Sequence, residues 1–214
     1  MAPVIRIEER ISCYSHLAGI VAAIAGTVYL ISAVRASAAH VAVALVYGIS
    51  VTLLFSASAT YHALKQREDE LSLWRTLDHS AIFFMIAGTY TPVCYVYLSG
   101  YWRWSIILLQ WALVITGLFL KFFYLAAPRY FSTAIYLLMG WVGIAAIKEF
   151  LTTMPLKAVL YLFAGGISFT VGAIFYAVKK PALRPGFGFH EIFHLFVLLG
   201  GLFHYLLVYT ALAG

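Results

Sequence analysis

The sequence predicts an all-α integral membrane protein: a bundle of seven transmembrane helices, N-terminus cytoplasmic and C-terminus outside. Three observations carry this. First, 64% of the 214 residues are hydrophobic and only 10% are charged, where a soluble domain carries about 25% charged residues; the mean hydropathy is +0.94. Second, the apolar residues gather into seven runs, each able to cross a hydrocarbon layer about 30 Å thick at 1.5 Å rise per residue. Third, the runs are continuously apolar, without the two-residue alternation of barrel strands, so helices are expected. A soluble enzyme and a disordered chain are both excluded.

Residues 1–11, MAPVIRIEERI, form a short polar cytoplasmic segment. It holds no apolar core followed by a small-residue cleavage site, so no cleaved signal peptide is expected. The runs follow at Ser12–Val34, His40–Leu64, Thr76–Leu98, Trp102–Tyr124, Tyr130–Ile147, Lys157–Val178 and Phe189–Leu212, the fifth being the shortest. The breaks between them, such as LKQREDELSLWR, APR and KKPALRPGFG, are too short to fold as a soluble domain. Residues 1–214 are therefore a single membrane domain, and any chemistry belongs inside the bundle. Neither an internal repeat nor a low-complexity segment stands out.

Orientation follows from the distribution of Lys and Arg, which are retained on the cytoplasmic side. The N-terminus and the loops after the second, fourth and sixth runs hold ten: Arg6, Arg10, Lys65, Arg67, Arg75, Lys121, Arg129, Lys179, Lys180 and Arg184. The opposite side holds four: Arg35, Arg103, Lys148 and Lys157. The same scatter accounts for the net charge of +6 without any nucleic-acid patch, so no nucleic-acid partner is expected. Cys13 and Cys94 lie about 24 Å apart in depth at 1.5 Å per residue, beyond disulfide reach. Both are expected as packing residues.

An ionisable side chain within a membrane segment costs several kcal/mol and marks function by default. The polar residues so placed are His16; Ser58 and His62; Asp78 and His79; and His190, Glu191, His194 and His204. Helix direction puts His16, His62, Asp78, His190 and His194 at the same, cytoplasmic depth, from four different helices. His190 and His194 are four residues apart, on one helix face, and His62 can supply a third imidazole. Three His with a fourth position left open is the ligand set of catalytic zinc. Asp78 would then orient a ligand or accept a proton, and Ser58, one turn before His62, can hydrogen-bond a water or a substrate carbonyl. The competing reading is that these groups are hydrogen-bonded glue between helices.

His190-Glu191-Ile192-Phe193-His194 also matches HExxH, the zinc-protease pattern with Glu as general base. Its context is poor. Val197 and Gly200 stand where the extended pattern wants Gly and His, and the twenty residues after His194 contain no carboxylate. Glu191 has a plainer role at a helix N-terminus. His204 lies about 15 Å beyond His194 along the axis, too far to join the same metal. His40 is expected at the outer interface, and the role of His79 is left open.

Glu9-x-x-Ser12-x-x-x-His16 resembles the ExxNxxxH pattern of the haemolysin III and progestin/adipoQ receptor (PAQR) family, with Ser12 in place of the usual Asn. Ser58-x-x-x-His62 resembles that family's SxxxH, Asp78 its third-helix aspartate, and His190-x-x-x-His194 its seventh-helix pair; HEIFHLFVLLGGLFH is close to the bacterial haemolysin III version. The resemblance implies a seven-helix bundle with a cytoplasmic N-terminus and zinc on His62, His190 and His194, with Asp78 and Ser58 nearby. The wider superfamily includes alkaline ceramidases. That likeness implies hydrolysis of a lipid amide or ester, with Asp78 as proton acceptor and Ser58 stabilising the oxyanion.

Three functions are thus in play, all with membrane lipids as partners. The leading one is a zinc-dependent, ceramidase-like lipid hydrolase in a bacterial inner membrane. The others are a non-enzymatic membrane sensor with structural zinc, and a cytolysin or channel. The clustering of polar residues at one leaflet weighs against a continuous pore.

Overall fold

In hydrocarbon each backbone N–H and C=O must find its partner within the protein, which leaves helices as the natural way for continuously apolar runs to cross. The computed structural model, which describes residues 5–67, 72–123, 129–184 and 186–214, is built on that rule. A single 3-10 turn at Ile7–Glu9 leads into α1 (Arg10–Val34), followed by α2 (Ala38–Leu64), α3 (Leu73–Tyr97), α4 (Gly100–Phe123), α5 (Arg129–Trp141), α6 (Ile147–Thr153), α7 (Leu156–Val178) and α8 (Phe189–Ala213). Among the described residues seven helical segments are long and apolar enough to cross a membrane, α5 and α6 forming one of them together. The chain is an integral, multi-pass membrane protein. Residues 1–4, 68–71, 124–128 and 185, parts of the N-terminal segment and loops considered above, lie outside the described residues.

Local chemistry sets the helix ends. Ser37 and Ser72 cap α2 and α3, their side chains accepting from the backbone N–H of His40 and Arg75. Between α7 and α8 a short hairpin pairs β1 (Ala182–Arg184) with β2 (Phe187–Gly188). Gly186 turns that hairpin with a φ of 75°, a conformation glycine adopts without strain.

α3 is the centre of the bundle, packing against α2, α4, α5 and α8. Its Phe83, Ala87 and Cys94 are fully enclosed. Close approach to α2 depends on Gly88, where a methyl group would run into the Ser50 side chain. The outward faces are the inverse of a soluble protein's: Val28 is 63% exposed, Ile115 71% and Leu138 71%, a surface suited to lipid. Cys13 and Cys94 are both buried free thiols, in keeping with packing roles.

The fifth span differs from the sequence reading, which ends it at Ile147. It continues to Thr153, and it is not one regular helix: a 3-10 stretch, Val142–Ala146, separates α5 from α6. The cause is side chains that enter its hydrogen-bond ladder. The Tyr90 hydroxyl donates to the Gly140 carbonyl at 2.7 Å and accepts from the Gly143 N–H at 2.8 Å. Gln110 of α4 donates to the Met139 carbonyl at 2.8 Å. Groups freed by the break are therefore taken up by α3 and α4.

Tyr90→Phe would leave one donor and one acceptor of this segment unpaired within the membrane. A loss of about 1–3 kcal/mol is expected, measured as a fall in the thermal midpoint of the detergent-solubilised protein.

Candidate metal centre

The last turn of α2 and the first two turns of α8 meet at the end of the bundle that also carries the start of α1. There the ring of His62 faces those of His190 and His194. His190 Nε2 lies 3.3 Å from His62 Nε2 and 3.2 Å from His194 Nε2, and one nitrogen from each ring falls within 4.8 Å of the others. His62 and His194 are buried; His190 is half-buried.

These residues fit a zinc ion on donor chemistry. Tetrahedral zinc with Zn–N bonds of 2.0–2.1 Å separates its nitrogen ligands by about 3.3 Å, the spacing of His190 Nε2 from each of the other two rings, while all three nitrogens fall within 4.8 Å of one another. Helix-to-helix glue makes a weaker fit. His62 presents its Nδ1 to Glu9 Oε2 at 2.6 Å, which in a neutral ring leaves the Nε2 as a lone pair. A lone pair converging with two further imidazole nitrogens is an arrangement that one cation would serve for all three rings.

A cavity of about 370 Å³ opens beside the three rings, within the size range of small-molecule sites. His190 and His194 line it, whereas His62 is not among its lining residues. Ser58 and Asp78 also line it. Asp78 thus shares the cavity with the imidazoles without joining their three-nitrogen cluster. Away from this polar end the wall turns apolar, with Ile82, Met85, Phe169 and Val197 among its residues.

The other polar residues singled out in the sequence divide in two. His16 belongs to the site: buried, it stacks on His194 with ring centroids 4.0 Å apart. His79 lines the same cavity, its Nε2 3.4 Å from the Tyr176 hydroxyl. His204 lies at the far apolar end, packed against Phe169, and His40 is set against Tyr95 in α3, outside the site.

Glu191 is not free to serve as a protease base. Its Oε2 accepts from the Gly188 N–H at 2.7 Å, capping α8, and its Oε1 accepts from the Ser12 hydroxyl at 3.2 Å. Ser12 therefore has a role without an amide: it ties α1 to α8.

The sequence reading did not assign Glu9 to the centre beyond its place in a motif. Besides His62, this buried carboxylate binds Lys65, Nζ to Oε1 at 2.6 Å. Its signal in the sequence was position, a carboxylate directly before the first apolar run. Its partners lie more than fifty residues away, and spacing along one helix does not reveal them.

Residues 5–205 match the family described as Haemolysin-III related. The chain is 36% identical to "Hemolysin-3" of Bacillus cereus over 195 residues, covering 90% of this chain and 86% of that protein. It is 33% identical to the "Hemolysin-3 homolog" of Bacillus subtilis (strain 168), covering 90% and 89%. A more distant relative, the human "Monocyte to macrophage differentiation factor", is 27% identical over 216 residues, covering 96% and 84%.

Protein purified without chelators and supplied with zinc is expected to hold about one ion per chain by elemental analysis. His190→Ala/His194→Ala should lose it, while His204→Ala keeps it. Zinc at 100 times its Kd should stabilise the wild type by about 2.7 kcal/mol and leave the double variant unchanged.

Proposed function

The chain belongs to the haemolysin III-related family of multi-pass membrane proteins, and from its site we propose that it is a zinc-dependent hydrolase of lipid amides or esters. The observation that carries this reading is the opening of a three-imidazole cluster onto a cavity that pairs a carboxylate with a hydroxyl at its polar end and is apolar beyond. His62, His190 and His194 would hold the ion. Bound there, zinc supplies Lewis acidity toward a carbonyl oxygen and toward water.

The chain's own residues supply the rest. The apolar wall takes the hydrocarbon part of a lipid and keeps bulk water away from the carbonyl. Asp78 accepts the proton of the attacking water and passes it to the departing amine or alcohol, leaving a fatty acid as the second product. Ser58, on the same cavity wall, donates its O–H to the oxyanion forming on the carbonyl.

Structural zinc sites are usually closed by four protein ligands. Among the described residues the cluster offers three, which favours catalysis over a structural ion in a sensor. A channel gains little support from the bundle interior, where Leu30, Leu207 and Val208 are fully enclosed. The asymmetry of Lys and Arg supports a cytoplasmic N-terminus, with the site at the cytoplasmic leaflet of a bacterial inner membrane.

In liposomes containing lipid amides or esters, the zinc-loaded protein is expected to release fatty acid. Asp78→Ala should lower that rate by about 10²–10⁴-fold while its zinc content stays unchanged. Zinc-loaded protein that hydrolyses none of a broad panel of lipid amides and esters would contradict the reading.

A further inference from the structure

The N-cap and first turn of α1, which reach the cavity through Glu9, are fastened to both helices that carry the imidazoles. Glu9 and Ser12 lie three residues apart, on one face of that turn. Ser12 reaches Glu191 on α8 at 3.2 Å. Glu9 reaches α2, where its two carboxylate oxygens are divided: Oε2 meets His62 Nδ1 at 2.6 Å and Oε1 meets Lys65 Nζ at 2.6 Å. The Glu9 and His62 side chains are 4% and 1% exposed. Water therefore plays little part in this contact, and its geometry is set by the protein.

We propose that Glu9 is the positioning residue of the metal centre, its carboxylate holding His62 as the Nδ1–H tautomer with Nε2 turned toward the ion; this rests on the zinc reading above. The reasoning is chemical. A histidine binds metal through a nitrogen lone pair, and the tautomer is set by what the other nitrogen meets. A carboxylate on Nδ1 accepts its proton, directs the lone pair to Nε2 and raises the basicity of the ring. His62 is the ligand that most needs such support. His190 and His194 share one helix and are mutually placed by its geometry, whereas His62 comes from another helix.

Lys65 completes the arrangement. It leaves one carboxylate oxygen for His62 and balances the charge that Glu9 brings into a buried place. A plain structural reading would give Glu9 the task of tethering α1 to α2 through Lys65 alone. The two readings differ in whether the carboxylate matters once Lys65 has gone.

The test compares wild type, Lys65→Met and Glu9→Gln/Lys65→Met, each as full-length protein in detergent. The double variant avoids a buried Lys65 deprived of its carboxylate, a change that could prevent folding. Zinc affinity is measured by competition with a chelator, and the cobalt-substituted proteins are compared by visible absorption. Lys65→Met should bind zinc within a few-fold of wild type. The double variant should bind it about 10- to 100-fold more weakly, with a shifted cobalt spectrum. Equal zinc affinity and identical cobalt spectra in the two variants would overturn the proposal. So would a loss of affinity already complete in Lys65→Met, which would make Glu9 a tether. Failure of the wild type to bind zinc would instead remove the metal centre itself, and this inference with it.

Discussion

A polar side chain inside a bilayer has to be satisfied by the protein, because lipid offers it nothing. The ends of α1, α2 and α8 are organised around that constraint. Two carboxylates, an ammonium and four imidazoles are drawn together there, most of them buried. Glu9 answers both Lys65 and His62; Glu191 answers both Ser12 and the first turn of α8. Beside these contacts three ring nitrogens face one another within 4.8 Å, close enough to be reached by one small cation. The same bonds that make the charges tolerable also hold His62 against its neighbours.

The constraint also explains the irregular fifth span. Where α5 gives way to a 3-10 stretch, Tyr90 and Gln110 replace the missing ladder bonds. Tyr90, Gly140 and Trp141 at this break also line the cavity. The departure from regular helix is thus placed where the bundle opens space for the apolar part of a ligand. Fold and cavity share these residues.

Much of this was legible in the sequence because bilayer physics leaves few choices. Length and apolar continuity fix the number of spans, and the described helices begin and end within a few residues of the apolar runs for six of the seven. The fifth escaped because its C-terminal part carries Lys148 and Glu149, and because its break is caused by side chains on α3 and α4. His62, His190 and His194 were legible as one group through depth alone: alternating helix direction puts them at one end whatever the lateral packing. Lateral neighbours were not legible. The Glu9–His62 contact and the stacking of His16 on His194 depend on which helices stand side by side, and hydropathy does not record that.

X-ray absorption at the zinc edge of the lipid-reconstituted protein tests the centre most directly. Three imidazole nitrogens and one further light ligand at about 2.0–2.1 Å are expected, with that signature lost in His190→Ala/His194→Ala. Four imidazoles, with His16 closing the site, would contradict a catalytic centre. A spectrum unchanged in the double variant would contradict the centre itself.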